Sequence, residues 1–139
     1  MKFVLDTNVI LKALIKDSLV RGILLHSNHE FLVPEYAIEE TRGHLDVVAN
    51  KSGLSNDAVN SVFDVLLTNM TVIPAGQALV NWSEAEEIMA PVDKGDIPIV
   101  AASLSVSSDG IWSDDKHLRR QNKVKIWTTK EVAGLGSHG

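Results

Sequence analysis

Four carboxylates occupy positions where one chemical site could be built. Asp6 and Asp115 each follow a short apolar run that predicts a strand. Glu40 lies early in a predicted helix after the second strand, and Asp96 precedes a strongly apolar helical segment. In a parallel sheet with right-handed crossovers, strands end and the following helices begin at the same edge. We therefore expect these acids to meet at one sheet edge, where open α/β sheets bind their ligands.

Carboxylates that lie this close together favour a particular chemistry. Like charges raise one another's pKa and repel unless a cation neutralises them. The chain has no cysteine and no obvious histidine partner for these acids, and a set of oxygen ligands suits Mg²⁺ or Mn²⁺ better than zinc. One or two such ions can activate a water and stabilise the leaving oxygen in phosphodiester hydrolysis. The cluster therefore favours metal-dependent hydrolysis.

Helix capping is an alternative role for two of these acids. Aspartate, threonine and asparagine are all good N-cap residues, and Asp6 precedes a predicted helix together with Thr7 and Asn8. Asp96 stands before the apolar helix in the same way. Taken alone, each aspartate fits a capping role as well as a functional one.

The choice among neighbouring acids needs separate arguments. On a helical wheel, Glu39 points almost directly away from the apolar stripe of its helix, whereas Glu40 lies on the flank of that stripe and can lean toward the sheet edge. We therefore favour Glu40, with Glu39 as a competitor. Asp115 directly follows Asp114, and strand alternation does not settle which of the two turns inward.

Apolar patterns place these residues on an α/β framework. Apolar runs predict five short strands, at residues 3–5, 30–33, 71–74, 110–113 and 124–127. Helical periodicity, with a capping box of Ser83 and Glu86, predicts helices at residues 10–15, 19–24, 35–48, 56–67, 83–89 and 97–104. Strands that alternate with helices predict a parallel sheet covered on both faces.

Length and composition fit one globular domain. The 139 residues, 45% of them hydrophobic, can bury a core without disulfides. No apolar run approaches the roughly 20 residues of a membrane span, and the N-terminus lacks a signal-peptide pattern, so we expect a cytoplasmic protein. One domain is predicted at residues 1–132 and a flexible tail at 133–139. The net charge of −5 argues against nucleic-acid binding over the whole surface but leaves room for a local basic patch.

Four short segments, in order along the chain, resemble the acidic motifs of PIN-domain nucleases. They are DTNVI at 6–10, PEYAIEE at 34–40, DKGDIPIVAASL at 93–104 and IWSDDKHL at 111–118. The resemblance extends to about Val132. It implies a PIN-like three-layer sandwich with a five-stranded parallel sheet in the order 3-2-1-4-5. It also implies a divalent-metal-dependent endoribonuclease, often the toxin of a VapC-type toxin–antitoxin pair.

Matching the motifs residue by residue implies roles for individual side chains. The catalytic cluster would comprise Asp6, Glu40, Asp96 and Asp115. The three aspartates would hold Mg²⁺ or Mn²⁺, while the glutamate would complete the cluster and orient the water. Asn8 and Ser113 would be supporting polar groups near the metal. The resemblance further implies an RNA substrate, an antitoxin protein and a homodimer as partners.

Residues beyond Asp115 leave two questions open. Some PIN-domain proteins carry a further acid where this chain has His117, so occupancy of a second metal site is left open. Lys116, Arg119 and Arg120 could hold RNA phosphates beside the metal, although a solvated basic loop is an equally good interpretation.

Two rival functions share parts of the pattern. Phosphatases with an aspartyl nucleophile also begin with an aspartate after strand one, but they usually need a second one two residues later, where this chain has Asn8. A receiver-like or binding module could hold Mg²⁺ with the same acids without cleaving RNA.

Overall fold

The computed structural model describes residues 1–15 and 18–136. Its central sheet has five strands in the order β3-β2-β1-β4-β5, and every neighbouring pair is parallel. The strands are β1 (Lys2–Leu5), β2 (Glu30–Pro34), β3 (Met70–Ile73), β4 (Ile111–Trp112) and β5 (Ile126–Trp127). The predicted fold class and strand order are therefore confirmed.

Helices connect the strands and cover the sheet. They are α1 (Thr7–Ile15), α2 (Ser18–His26), α3 (Glu35–Gly43), α4 (Leu45–Ser52), α5 (Asn56–Leu67), α6 (Ala75–Leu79), α7 (Trp82–Met89), α8 (Ile97–Leu104) and α9 (Thr129–Gly134). Two 3₁₀ turns, Lys94–Asp96 and Leu118–Arg120, precede α8 and β5. Within the described ranges, no helix has both the length and the apolar character needed to cross a membrane.

The continuous apolar run of β1 reflects a strand buried on both faces. Phe3 and Leu5 are fully buried in one core, whereas Val4 between them is fully buried in the other. Side chains alternate across a strand, so a central parallel strand needs apolar residues at every position. This burial makes β1 the centre of a three-layer α/β/α sandwich and fixes where Asp6 emerges.

Each face of the sheet is covered by its own set of helices. The first core contains Val9 of α1, Phe63 of α5 and Val132 of α9. The second core contains Met89 of α7 and the apolar side chains of α8, which is buried nearly all round. As predicted, Pro98 lies in the first turn of α8, where the missing N–H costs no helical hydrogen bond.

The prediction of a single helix over residues 35–48 is wrong, because the helix is interrupted at His44. This residue has φ −108° and ψ 6°, and it ends α3 and begins α4. Its ring Nδ1 lies 2.7 Å from the carbonyl oxygen of Glu40, and its backbone N–H bonds to the carbonyl of Thr41. The change of direction lets α3 bury Ala37 while α4 separately buries Val48.

The capping box predicted at Ser83 is also wrong. Helix α7 begins at Trp82, and its N-cap is Asn81, whose side chain makes no capping hydrogen bond. The backbone carbonyl of Asn81 instead accepts from the N–H of Ala85. The prediction missed α6, a short helix that ends at Leu79 and leads the chain into α7 before Ser83.

A capping box does occur at the start of α9, where none was predicted. The Thr128 hydroxyl accepts from the backbone N–H of Glu131, and the Glu131 carboxylate accepts from the backbone N–H of Thr128. Helix α9 runs through Gly134. Residues 137–139 of the predicted tail lie outside the described residues.

Candidate active site

Asp6 leaves β1 directly at the carboxyl edge of the sheet. Its backbone N–H donates to the carbonyl of Trp112 over 3.2 Å, which continues the pairing of β1 with β4. Its Oδ1 accepts from the N–H of Thr7 at 2.9 Å, and its Oδ2 accepts from the hydroxyl of Ser113 at 2.7 Å. Capping of α1 therefore accounts for only one of the two carboxylate oxygens.

Ser113 connects two of the predicted acids. The side chain is fully buried. Its hydroxyl donates to Asp6 and accepts from the backbone N–H of Asp115 at 3.0 Å. Asp115 in turn accepts, through Oδ1, from the backbone N–H of His117 at 2.8 Å. One buried hydroxyl thus sets the relative positions of the turn after β4 and the acid after β1.

Asp96 is placed as an N-cap but does not act as one. It precedes α8, yet its side chain makes no capping hydrogen bond. Its Oδ2 is buried and has no hydrogen-bond partner among the described residues. Burial, followed by the charges of Asp115, Asp6 and Asp93, raises the pKa of Asp96 to about 7. A buried carboxyl without a donor is costly, so its position indicates a role other than capping.

The environment of Asp6 is also unfavourable to a negative charge. Burial raises the pKa of its carboxyl above the usual value, and the charges of Asp115 and Glu40 raise it further. The hydrogen bonds from Ser113 and Thr7 oppose this shift by stabilising the ionised form. The Asp6 carboxylate is therefore held in place by hydrogen-bond donors, and among the described residues no positively charged group is one of those that shift its pKa.

Tyr36, which the sequence analysis did not single out, lies among the acids. Burial raises the pKa of its phenol above the usual value, and the charges of Asp6, Glu40 and Asp96 raise it further. These charges come from β1, α3 and the start of α8, so the elements converge around one ring. The phenol stays protonated and can donate a hydrogen bond at the acidic cluster.

The contacts of Asp114 distinguish it from Asp115. Its Oδ2 accepts from Lys12 Nζ at 2.7 Å and from the hydroxyl of Thr129 at 2.6 Å, while its Oδ1 accepts from the N–H of Thr129 at 2.8 Å. Burial alone would raise the pKa of this carboxyl, but these hydrogen bonds and the Lys12 charge hold it below the usual value. Asp114 joins α1 to α9, whereas Asp115 faces the acids.

Glu39 and Glu40, the adjacent glutamates of α3, also differ in their relation to the acidic cluster. Both are exposed, but Glu40 is the one whose charge raises the pKa of Asp6 and Tyr36. Glu35, at the start of the same helix, accepts from the N–H of Ala75 at 2.9 Å and so caps α6. The charge of Glu40, unlike that of Glu39, therefore acts on the acidic cluster.

Asn8 has the environment expected of a supporting polar group. Its Oδ1 is buried and accepts no hydrogen bond from the described part of the chain. The hydroxyl of Thr7 is likewise buried without a partner there. Unsatisfied buried polar atoms are rare and need an explanation, and two such groups next to Asp6 in the chain are available to contact a polar ligand.

Sequence reasoning missed the part that Asp93 plays beside the acids. Together with Asp96 and His117 it forms a group whose ligand atoms all lie within 4.8 Å of one another. His117 Nδ1 lies 3.2 Å from Asp93 Oδ2 and 3.7 Å from Asp115 Oδ1. Asp93 also accepts from the N–H of Gly95 at 2.9 Å, a contact within the turn that precedes α8. Its spacing of three residues from Asp96 was the available signal.

A divalent cation fits this donor set. Two of the carboxylates, those of Asp6 and Asp96, have raised pKa values, and Asp96 Oδ2 is buried without a donor among the described residues. Asp6, Asp96 and Asp115 are less tightly grouped than the Asp93, Asp96 and His117 set in the described ranges. A bound cation would lower the electrostatic cost of bringing these charges together.

The basic side chains that could hold RNA phosphates lie beyond the acids in the sequence, on an exposed loop. Lys116, Arg119 and Arg120 are exposed, and the two arginines belong to the 3₁₀ turn anchored by buried Leu118. Arg119 lines a cavity beside Lys125, whereas Arg120 lines a different one. The loop presents positive charge near the acidic edge without gathering both arginines in one cavity.

Comparisons with known proteins agree with this architecture. A family model described as PIN domain matches residues 4–134. A crystal structure of VapBC2 from Rickettsia felis bound to a DNA fragment from their promoter contains a chain with a similar fold, at a TM-score of 0.71 and 14% sequence identity. The match covers 92% of this chain and 98% of that chain. No curated protein matches the sequence. This chain belongs to the PIN-domain family.

Proposed function

We propose that this protein is a divalent-metal-dependent endoribonuclease that hydrolyses RNA phosphodiester bonds. The observation that carries the proposal is the convergence of acids from separate elements, with burial and mutual repulsion raising the pKa of Asp6 and Asp96. Perturbed carboxyl groups that converge at the ligand-binding edge of a sheet are typical of functional sites. Membership of a nuclease family supports the same conclusion.

Asp6, Asp96 and Asp115 would hold the cation, Mg²⁺ or Mn²⁺. When bound, such an ion supplies an activated water and stabilises the leaving oxygen. Ser113 orients Asp6 through its 2.7 Å hydrogen bond, as outer partners of metal ligands commonly do. Asn8, with its buried unpaired Oδ1, would orient a group bound beside Asp6.

Glu40 would accept the proton of the attacking water, and Tyr36 would stabilise negative charge on the phosphate. Glu40 is exposed at the edge of the cluster, where it can accept a proton from the attacking water and pass it to solvent. The phenol of Tyr36 remains protonated beside the acids and can donate a hydrogen bond to a phosphate oxygen. One group thus accepts a proton while the other stabilises developing negative charge.

RNA would be held by the basic loop next to the acids. The acidic cluster repels a phosphate backbone, and the chain as a whole carries a net charge of −5. Lys116, Arg119 and Arg120 supply the opposing charge on an exposed surface. Binding through these side chains would be sequence-independent and would weaken with added salt.

We further propose that the protein is the toxin of a type II toxin–antitoxin pair, acting in the cytoplasm as a homodimer. The support is the fold shared with a chain of a structure described as VapBC2 bound to a promoter DNA fragment. The expected partner is an antitoxin encoded beside this gene. Expression of the protein should arrest growth, and co-expression of the neighbouring gene should restore it. Growth arrest that persists in Asp6→Asn would contradict the toxin role.

The deciding experiment is cleavage of a panel of RNAs by purified protein. The reactions would contain Mg²⁺, Mn²⁺ or chelator, with Asp6→Asn as the inactive variant and Asp57→Asn, an exposed aspartate of α5, as the matched control. We expect cleavage that requires metal, disappears in Asp6→Asn and is unchanged in Asp57→Asn. Full cleavage by Asp6→Asn would refute the mechanism.

The rival functions predict different results in the same assays. A phosphatase would hydrolyse a small phosphomonoester, and a binding module would bind the metal but cut no RNA. The site favours neither, because Asn8 cannot act as the general acid of the phosphatase and because Glu40 provides a proton acceptor and Tyr36 a hydrogen-bond donor, which a binding module does not require.

A further inference from the structure

An apolar cavity of about 250 Å³ lies beside the acidic cluster. Its walls include Tyr36 at the start of α3, Leu79 of α6, Trp82 of α7 and Pro98 of α8. We call it the Trp82 cavity. The proposed nuclease function does not use it, and its volume suits one flat ring better than a chain of nucleotides.

The Trp82 cavity adjoins the proposed catalytic site at Tyr36 and Pro98. Tyr36 lines the cavity, and the same ring experiences the charges of Asp6, Glu40 and Asp96. Pro98 lies two residues after Asp96 in the first turn of α8. A group that occupies the cavity would therefore lie directly next to a phosphate held at the acids.

Polar contacts at its rim hold the cavity open. The Glu35 carboxylate accepts from the N–H of Ala75 at 2.9 Å and thereby fixes the start of α6. The side-chain amide of Gln77 donates to the carbonyl of Ser105 at 3.0 Å, which ties α6 to the end of α8. These two hydrogen bonds position the short helix α6 as one wall of the cavity.

Two large apolar side chains at the cavity remain accessible. Leu79 is 62% exposed and Trp82 is 36% exposed. A partly exposed indole that lines a cavity can serve as a stacking platform for a nucleobase, and single-stranded nucleic acids are commonly bound by such stacking. The cavity contributes no cation that would hold a phosphate, since its charged lining residue is Glu35. The base is therefore the part of a nucleotide that fits.

We propose that the Trp82 cavity binds the base of a nucleotide adjoining the bond that is cleaved, with that base stacked on Trp82. The proposal rests on the proposed ribonuclease function and adds a subsite to it. The acids hold the scissile phosphate, the cavity holds the neighbouring base, and Tyr36 forms the boundary between them. Unpaired RNA is the required substrate, because a paired base cannot enter the cavity.

The test combines substitutions in the cavity with removal of the base. For an RNA with one mapped cleavage site, each of the two nucleotides that flank the cut is replaced in turn by an abasic residue. With wild-type protein, one of these changes should lower kcat/KM by about 5-fold to about 150-fold, the range measured for stacking of one base on one aromatic side chain. Trp82→Ala should show the same loss on intact RNA and no further loss on the abasic RNA.

Three other variants sharpen the test. Trp82→Phe should stay within about 3-fold of wild type, because it retains an aromatic face. Trp82→Leu should behave like Trp82→Ala, since it retains apolar bulk without that face, and it keeps the proposal testable if the alanine variant does not fold. Val80→Ala is the matched control, because Val80 is 83% exposed two residues away and does not line the cavity. Melting curves establish that each variant is folded.

The results that would refute the base subsite differ from those that would refute the nuclease function. If wild type cleaves RNA but Trp82→Ala and Trp82→Leu cleave equally well, the base subsite is refuted and the nuclease stands. Losses from the abasic RNA and from Trp82→Ala that multiply would also refute it. Unchanged cleavage together with weaker binding of the neighbouring gene's product would assign the cavity to protein docking and overturn the proposal. If wild type cleaves no RNA at all, the proposed function has failed and the subsite falls with it.

Discussion

The hydroxyl of Ser113 donates a 2.7 Å hydrogen bond to Oδ2 of Asp6, a residue 107 positions earlier in the chain. The same hydroxyl accepts from the backbone N–H of Asp115. Ser113 is fully buried, so neither contact can be replaced by bulk water. The two acids that end β1 and follow β4 therefore depend on one side chain for their arrangement.

Substitution Ser113→Ala should weaken metal binding and stability together. The change removes the donor that opposes the raised pKa of Asp6, so that carboxyl binds its proton more tightly and a cation less tightly. We expect a loss of about 10-fold to 100-fold in Mn²⁺ affinity and of about 1–3 kcal/mol in the free energy of unfolding. Calorimetric titration and denaturant unfolding would measure the two effects.

Ser103→Ala is the matched control for this prediction. Ser103 is also a buried serine, but it lies in α8 away from the acids. Its substitution should leave Mn²⁺ affinity within about 2-fold of wild type. Equal affinities for wild type and Ser113→Ala would mean that the hydroxyl does not orient Asp6.

Substitution Asp96→Asn should stabilise the metal-free protein at pH 8. The folded-state pKa of Asp96 is raised to about 7 from 3.8, so the native chain binds more protons than the unfolded chain between these values. Stability from this group therefore falls as pH rises from about 4 to about 7 and stays reduced above that. Removing the carboxylate relieves this cost, and the melting temperature in chelator should rise at pH 8 but not at pH 4.

Added metal should reverse the order of these two proteins. Mn²⁺ should raise the melting temperature of wild type at pH 8, because it binds the native state, and should raise that of Asp96→Asn less. Asp57→Asn, on the exposed start of α5, should behave as wild type in both conditions. An Asp96→Asn protein that melts below wild type in chelator at pH 8 would show that the carboxylate is not under repulsive strain.

The adjacent pair Glu40 and Glu39 provides a test of proton transfer. Both side chains are exposed on α3, so neither substitution should alter folding. Glu40→Gln should lower kcat for RNA cleavage by about 10²-fold to 10⁴-fold, the range for loss of a general base, whereas Glu39→Gln should change it less than about 2-fold. Equal losses in the two variants would refute the choice of Glu40.

Substitution of Asp114 should lower stability but not abolish activity, whereas substitution of Asp115 should abolish activity with little loss of stability. Asp114→Ala removes the contacts with Lys12 and Thr129 and should cost about 1–3 kcal/mol, or roughly 3–4 °C in melting temperature per kcal/mol for a domain of this size. Cleavage should persist below the melting temperature. Asp115→Ala should abolish cleavage with little loss of stability.

The effect of Asp114→Ala should also depend on pH. Its hydrogen bonds hold the folded-state pKa below the usual 3.8, so the stability it contributes is present above about pH 4 and is lost as pH falls toward that lowered value. The difference in melting temperature from wild type should therefore shrink in acid. A difference that is the same at pH 7 and at the lowest pH where the protein folds would contradict the ion-pair explanation.

Local sequence patterns were sufficient for most of the framework. Residues 56–67 were predicted as a helix, and α5 has those bounds. The short strands were predicted within a few residues, and for β1, β2 and β4 the reason is that a strand buried on both faces needs a continuous apolar run. The predictions failed where packing between distant segments decided the outcome, as at His44, which ends α3 and begins α4 so that each helix buries its own apolar residues.

The amino-acid sequence alone places Asp6 and the Asp114–Asp115 pair after apolar strands and Asp96 before a buried helix, but it leaves the choice between Asp114 and Asp115 open and does not indicate the part that Asp93 plays. Only the tertiary structure decided what each carboxylate does there. Asp114 is neutralised by Lys12, 102 residues away, whereas Asp96 Oδ2 has no donor in the described part of the chain. The physical reason is that backbone conformation and burial follow local periodicity, but hydrogen-bond partners and charge repulsion depend on distant residues that only the folded chain brings together.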